Sequence, residues 1–318
     1  MINGTLVVEF RLLGFHSLPG WQTLLFLVLL LIYILSLMGN VAIISVVWQE
    51  PRLHSPMYSF LQNLSFLEIC YTSTIMPKML ANLLAERKAI SFAGCMVQLY
   101  CFVFLGATEC FLLAVMAYDR YLAVCDPLHY TAVMSDTSCV RLAAGSWVTG
   151  IFTGLLPCLL ISRLHFCASN QIRHFFCDIP PLLQLSCSDT TMTELLIFVL
   201  SLLVLVSCLL LTLVSYLFIV LAILKIPSST GKRKTFSTCG SHLAVVVIYY
   251  GTMISMYVHP SSGLSSELNK IVSVFYTIVT PLLNPIIYSL RNKDFRNALK
   301  KIIQRQCTRG WRPYSGSH

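Results

Sequence analysis

At 318 residues the chain is long enough for two ordinary soluble domains, but 56% of it is apolar and only 11% is charged, against roughly 45–50% and 25% in globular proteins. That balance excludes a water-soluble fold for most of the chain. The net charge of +9 flanks the apolar runs and reads as membrane-surface chemistry, so a lipid partner is expected and a nucleic-acid partner is not.

A hydrocarbon core of ~30 Å needs a helix of about 20 apolar residues. In chain order, seven runs meet or approach that length: 24–47, 56–84, 89–118, 142–161, 195–224, 243–258 and 271–290. The second contains Glu68 and Lys78, the third Glu109, and the sixth is short unless the polar residues before it extend the helix. The pattern predicts an all-α membrane protein, a seven-transmembrane-helix bundle over 21–290, with an N-terminal segment 1–20 and a tail 291–318. Glu9 and Arg11 precede the first run, which is too long for a cleavable signal core, so that helix is expected to act as its own insertion signal.

Orientation follows from the basic residues, because positive loops stay cytoplasmic. With the N-terminus outside, fifteen of the 22 Lys and Arg fall inside. They include Arg52, Arg120, Arg141, Lys225, the cluster Lys232, Arg233 and Lys234, and those of the tail. Asn3-Gly4-Thr5 is then a glycosylation sequon on the outer side, with Asn3 as acceptor. Asn63-Leu64-Ser65 also matches but lies within a span.

Most of the 13 Cys are single residues in apolar runs, where a thiol behaves as a small hydrophobe. Cys95, Cys167, Cys177 and Cys187 differ in lying at the outer face, where oxidising conditions permit disulfides; four Cys allow three pairings. No Cys pair or His pair has zinc-ligand spacing and no HExxH is present, so no metal site of that kind is expected.

Two motifs stand at the inner ends of spans. Asp119-Arg120-Tyr121 closes the third, where a charge can reach water or a cytosolic partner. Asn284-Pro285-Ile286-Ile287-Tyr288 interrupts the seventh with a proline that removes a helical hydrogen bond. Together they resemble the DRY and NPxxY motifs of rhodopsin-like G-protein-coupled receptors. Longer stretches resemble olfactory receptors within that class. These are Leu53 to Tyr58 in the first inner loop, Met116 to Cys125 running into Pro127-Leu128, Ser215-Tyr216, Lys234 with Phe236 to Leu243, and Pro281 to Asn292. The similarity extends from Gly39-Asn40 to Asn292. Thr235 stands where the family usually has Ala, and Glu68 where it usually has Asp.

The resemblance implies disulfides Cys95–Cys177 and Cys167–Cys187. It implies a small-molecule odorant as ligand, a stimulatory, cyclic-AMP-raising G protein as partner, and a plasma-membrane location. Arg120 and Tyr216 would engage in the active state, with Asp119, Tyr121, His242, Asn284, Pro285 and Tyr288 in the same activation machinery. Glu68, Glu109 and Asn284 would lie together as a sodium or proton site, no other cofactor being expected; buried acids in spans usually face the bundle interior.

Phe102, Val103, Gly106, Ala107 and Cys110 share one face of the third helix. The resemblance implies a cavity there, faced by Ser201 and Val204, by Tyr250, Met253 and Tyr257, and by Ser273 and Thr277. Such a lining is apolar with a few hydroxyls and predicts an uncharged ligand, since an unpaired buried charge is costly. Beyond the seventh span, Phe295, Leu299, Ile302 and Ile303 alternate with Arg296, Lys300 and Lys301 as in a short interfacial helix, with Cys307 either acylated or a free thiol. Gly150 and Gly154 are spaced either for helix dimerisation or for internal packing. A transporter would show internal repeats and an enzyme a nucleophile with its base; neither is present, so no catalytic residue is expected.

Overall fold

The computed structural model describes residues 8–14, 20–167, 170–257, 270, 272–291 and 293–310. Asn3 and Asn292 lie outside these residues, as do the side chains of Lys234, Phe236, Tyr257, Tyr288 and Cys307. The long helices are α1 (Gln22–Gln49), α2 (Pro56–Leu84) and α3 (Phe92–Cys125), then, after a single turn α4 (Tyr130–Val133), α5 (Asp136–Ser162). A short α6 (Ile179–Gln184) precedes α7 (Thr191–Lys225) and α8 (Ser229–Tyr257). A π-helical stretch Phe275–Val279 runs into α9 (Thr280–Arg291), which is followed by α10 (Lys293–Gly310).

Among the described residues four helices, α1, α3, α5 and α7, are long and apolar enough to cross a membrane by length and composition, and shorter apolar stretches occupy Cys239–Ile254 and Val272–Ile287. Their outer surfaces carry exposed Leu, Val and Phe such as Leu31, Leu203 and Phe152. Such surfaces suit lipid. The chain is a multi-pass membrane protein in which α3 forms the buried axis, with Leu99, Leu112, Leu113 and Ala117 inaccessible.

Several boundaries differ from the hydropathy reading. The third helix begins at Phe92 rather than at 89, because Ala89–Ser91 is a strand, β2, and Ser91 Oγ accepts the Gly94 N–H at 3.1 Å as an N-cap. It continues to Cys125, past the end of the apolar run. The sixth helix starts at Ser229, fourteen residues before 243, where its first turns are polar and carry no hydropathy signal.

A small sheet adds to the all-α class: β1 (Glu9–Leu12) pairs antiparallel with β2 and parallel with β3 (Gln171–Ile172). Phe10, fully buried, packs its ring 5.3 Å from Phe166 and 6.1 Å from Phe92. The N-terminal segment thereby becomes part of the cap over one end of the bundle.

Proline dictates how the first and seventh spans meet. Pro285 has no N–H to offer the Pro281 carbonyl one turn earlier. That carbonyl instead accepts from Ser36 Oγ at 3.2 Å and Asn40 Nδ2 at 3.3 Å, both on α1. Gly39 makes the approach possible, since a Cβ there would stand 3.0 Å from Pro285 Cβ.

Gly150 and Gly154 play the corresponding part between α5 and α3. A Cβ on Gly150 would collide with Thr108 Oγ1, and one on Gly154 would lie 2.9 Å from Phe104 Cβ. The glycine pair therefore serves internal packing, and no dimer face is needed to explain it. The terminal helix docks through buried Phe295, Ala298 and Ile302, whereas Ile303 is exposed. Lys301 Nζ reaches the Glu50 carboxylate at 2.9 Å and ties α10 to the turn after α1.

Candidate functional site: a cavity in the bundle and a polar cluster at its other end

A cavity lies among α3, α5, α7 and α8, with the mainly apolar lining usual for small-molecule sites. From α3 it is lined by Phe102, Val103, Gly106, Ala107 and Cys110, the face that helical spacing singled out. Ser201, Val204 and Met253 also line it. Tyr250 does not: its ring is buried and its hydroxyl donates to the Cys110 carbonyl at 3.2 Å. Tyr249 takes the place expected of it, donating at 2.6 Å to the Gly106 carbonyl with its hydroxyl 3.4 Å from Cys110 Sγ.

Ser273 and Thr277 are likewise absent from this lining. Ser273 Oγ instead lies 3.2 Å from His174 Nε2 and accepts from the Tyr276 hydroxyl at 3.3 Å, while Thr277 donates to the Ser273 carbonyl at 2.6 Å. Thr153, Pro157, Ile179, Leu200, Leu205 and Tyr249 complete the lining and were not anticipated. Thr153 with Pro157, Leu200 with Val204, and Ser201 with Leu205 are each four apart, so helical spacing could have flagged them; nothing in the sequence could have flagged Ile179. No lining residue is charged.

Disulfides Cys95–Cys177 and Cys167–Cys187 close the cap, with Cα separations of 5.5 and 5.9 Å. Gln98 holds the first bridge in place, accepting from the Cys177 N–H at 3.0 Å and donating to the Thr74 carbonyl at 3.0 Å. The Phe176 ring packs at a tilt 4.9 Å from that of the cavity residue Phe102. Two ionisable groups are buried in this loop. Desolvation, helped by Lys270, pushes His174 down to about 3. Desolvation pushes Asp178 up to about 6, against the pull of the Ile179 N–H and the Tyr276 hydroxyl.

At the opposite end Arg120 is held by its own helix. Its guanidinium donates to Asp119 Oδ2 at 2.9 Å, and Tyr130 donates to Asp119 Oδ1 at 2.8 Å, so both carboxylate oxygens are engaged. Tyr216 is joined elsewhere, 2.7 Å from His242 Nδ1 and 3.2 Å from the Cys239 carbonyl. The Arg120–Tyr216 contact is therefore not formed in this arrangement. Between the two ends Asn284 donates to Glu68 Oε1. Glu68 Oε2 and Glu109 Oε1 are buried without a hydrogen-bond partner among the described residues. Two such oxygens suit a small cation or a shared proton.

The olfactory receptor family profile matches residues 29–306. The chain belongs to the olfactory receptor family. It is 64% identical to human olfactory receptor 11L1 over 97% of its own length and 96% of that protein's. It is 50% identical to human olfactory receptor 6N1, covering 95% of this chain and 97% of that one, and 50% identical to mouse olfactory receptor 5M5, covering 95% of each. These relatives are receptors, not enzymes. The chain presents a cavity beside the middle of α3 and a polar cluster around Arg120 toward the end of that helix.

Proposed function

We propose that this receptor takes a small, uncharged, mainly apolar odorant into the α3–α5–α7–α8 cavity and activates a stimulatory heterotrimeric G protein at the Arg120 end, raising cyclic AMP. In this reading the disulfide cap faces outward and the tail is cytoplasmic. The observation that carries it is the placement of Tyr249 and His242 on one helix. Tyr249 lines the cavity and binds the Gly106 carbonyl, while His242, two turns away on α8, holds Tyr216. A ligand that binds better when α8 has shifted would release Tyr216 toward Arg120 and favour that state by the difference in its affinity for the two arrangements.

The test is agonist-evoked cyclic AMP across a panel of volatile compounds. Arg120→Ala should abolish the response while leaving surface expression intact, and uncharged compounds should be the most potent. A ranking led by amines or carboxylates would overturn the ligand assignment.

The oxygens of Glu68 and Glu109, with Asn284, would hold a sodium ion or a shared proton. On the sodium reading, Glu68→Gln should remove any sodium dependence of agonist potency. Unchanged dependence in that variant ends the sodium role.

A further inference from the structure

We infer that ligands reach the cavity from within the bilayer, through a gap between α5 and α7, rather than from the water above the cap. The inference rests on the proposed role of the cavity as the ligand site. Three observations carry it.

Among the described residues, the capped end is shut. Ile179 and Phe102, which line the cavity there, are 5% and 2% exposed, and Phe176 above them is fully buried. The Cys95–Cys177 bridge joins this part of the loop covalently to α3. A path from water would have to part an aromatic layer that is tied covalently to α3.

The side toward lipid is not shut. Thr153 on α5 and Leu200 and Val204 on α7 line the cavity and are themselves only partly buried. Their helical neighbours Phe152, Leu156, Val199 and Leu203 are exposed on the lipid-facing surface. Gly150 and Gly154 explain the gap: they let α5 seat tightly on α3, and its packing on α7 is much sparser.

The walls of the gap suit an apolar traveller. The Thr153 hydroxyl is already donated to the Thr149 carbonyl at 2.8 Å. Pro157 supplies no N–H to the Thr153 carbonyl, which leaves one backbone acceptor on the path for a hydroxyl that has shed its water. A compound dissolved in the acyl chains meets a continuous apolar route, and each added methylene raises its concentration there about fourfold.

The experiment uses the full chain in lipid nanodiscs and straight-chain alkanols carrying a photoreactive diazirine, flash-activated at set times after mixing. At fixed aqueous concentration, the rate of cavity labelling should rise about fourfold per methylene. Leu200→Trp should slow both labelling and release by about tenfold, since obstruction of a path slows both rates whereas a lost contact in the lining would speed release. Thr153→Ala, which widens the mouth and threatens folding least, should speed both. Rates that ignore chain length and both substitutions, with the cavity still labelled at long times, would overturn the bilayer route. A cavity that is never labelled would overturn the ligand site itself.

Discussion

The two ends of the bundle are held by different kinds of bond. The capped end is fastened by two disulfides, a small sheet and stacked aromatic rings, and desolvation keeps buried His174 neutral above about pH 3 and buried Asp178 neutral below about pH 6. The Arg120 end is fastened by contacts that exchange cheaply: an ion pair to Asp119, a phenol to imidazole, and a lysine to Glu50. Hydrogen bonds to charged groups contribute about 1.5–3 kcal/mol each, which small differences in ligand binding can offset. Covalent bridges cannot be offset in that way. One end is thus built to keep its shape and the other to change it.

The comparison breaks most severely if the covalent side is cut. Cys95→Ser removes a bridge spanning 82 residues, and losses of this kind cost about 2–5 kcal/mol. Surface expression of that variant should collapse. Cys167→Ser opens a bridge spanning only 20 residues and should cost about 1 kcal/mol less on the chain-entropy account. Equal surface expression of the two variants would show that loop length does not set the stability of the cap.

A smaller effect is expected at the other end. Asp119→Asn removes the charge that restrains Arg120 while leaving an acceptor for Tyr130, at about 1–3 kcal/mol. If that restraint favours the silent state, basal cyclic AMP should rise several-fold with no agonist present. A variant as quiet as the parent would place the restraint elsewhere.

The smallest effect sharpens the account of the cap. His174, lowered from 6.5 to about 3, favours the folded loop above 6.5 and loses that contribution as pH falls. Asp178, raised from 3.8 to about 6, does the reverse: its contribution is full below 3.8 and is lost as pH rises through 6. Between pH 6 and 3.8 the folded loop and the unfolded chain each bind one proton across this pair, so the two dependences cancel. This pair should therefore add almost no slope to the thermal stability of the purified receptor across that interval. Asp178→Asn leaves only the histidine, and stability should then fall by about 1.4 kcal/mol per pH unit on acidification below 6.5. A variant as flat as the parent would show that His174 does not stay neutral in the folded loop.

Sequence and structure contribute unequally at the two ends. The amphipathic terminal helix was legible because Phe295 and Ile302 recur on one side of it, and they are the residues that dock. The α3 face of the cavity was legible for the same reason, since five residues on a helical period must share a surface. The α8 face of the cavity lies one position from the one that spacing suggests. Tyr249 and Tyr250 are equally compatible with Met253 by spacing, and only the packing of α8 on α3 decides which ring reaches the cavity. Ser273 was drawn away by His174, a loop residue 99 positions earlier that no local pattern connects to it.

What the sequence determined by itself was the number and order of apolar spans, the motifs at their ends, and the family to which the chain belongs, because hydrophobic length and short-range spacing are local properties. The cap strand, the fourth-span contribution to the cavity and the pairing of Tyr216 with His242 were decided only by tertiary structure. Each depends on what a residue meets from another element. An apolar face records that it will be buried, not against what.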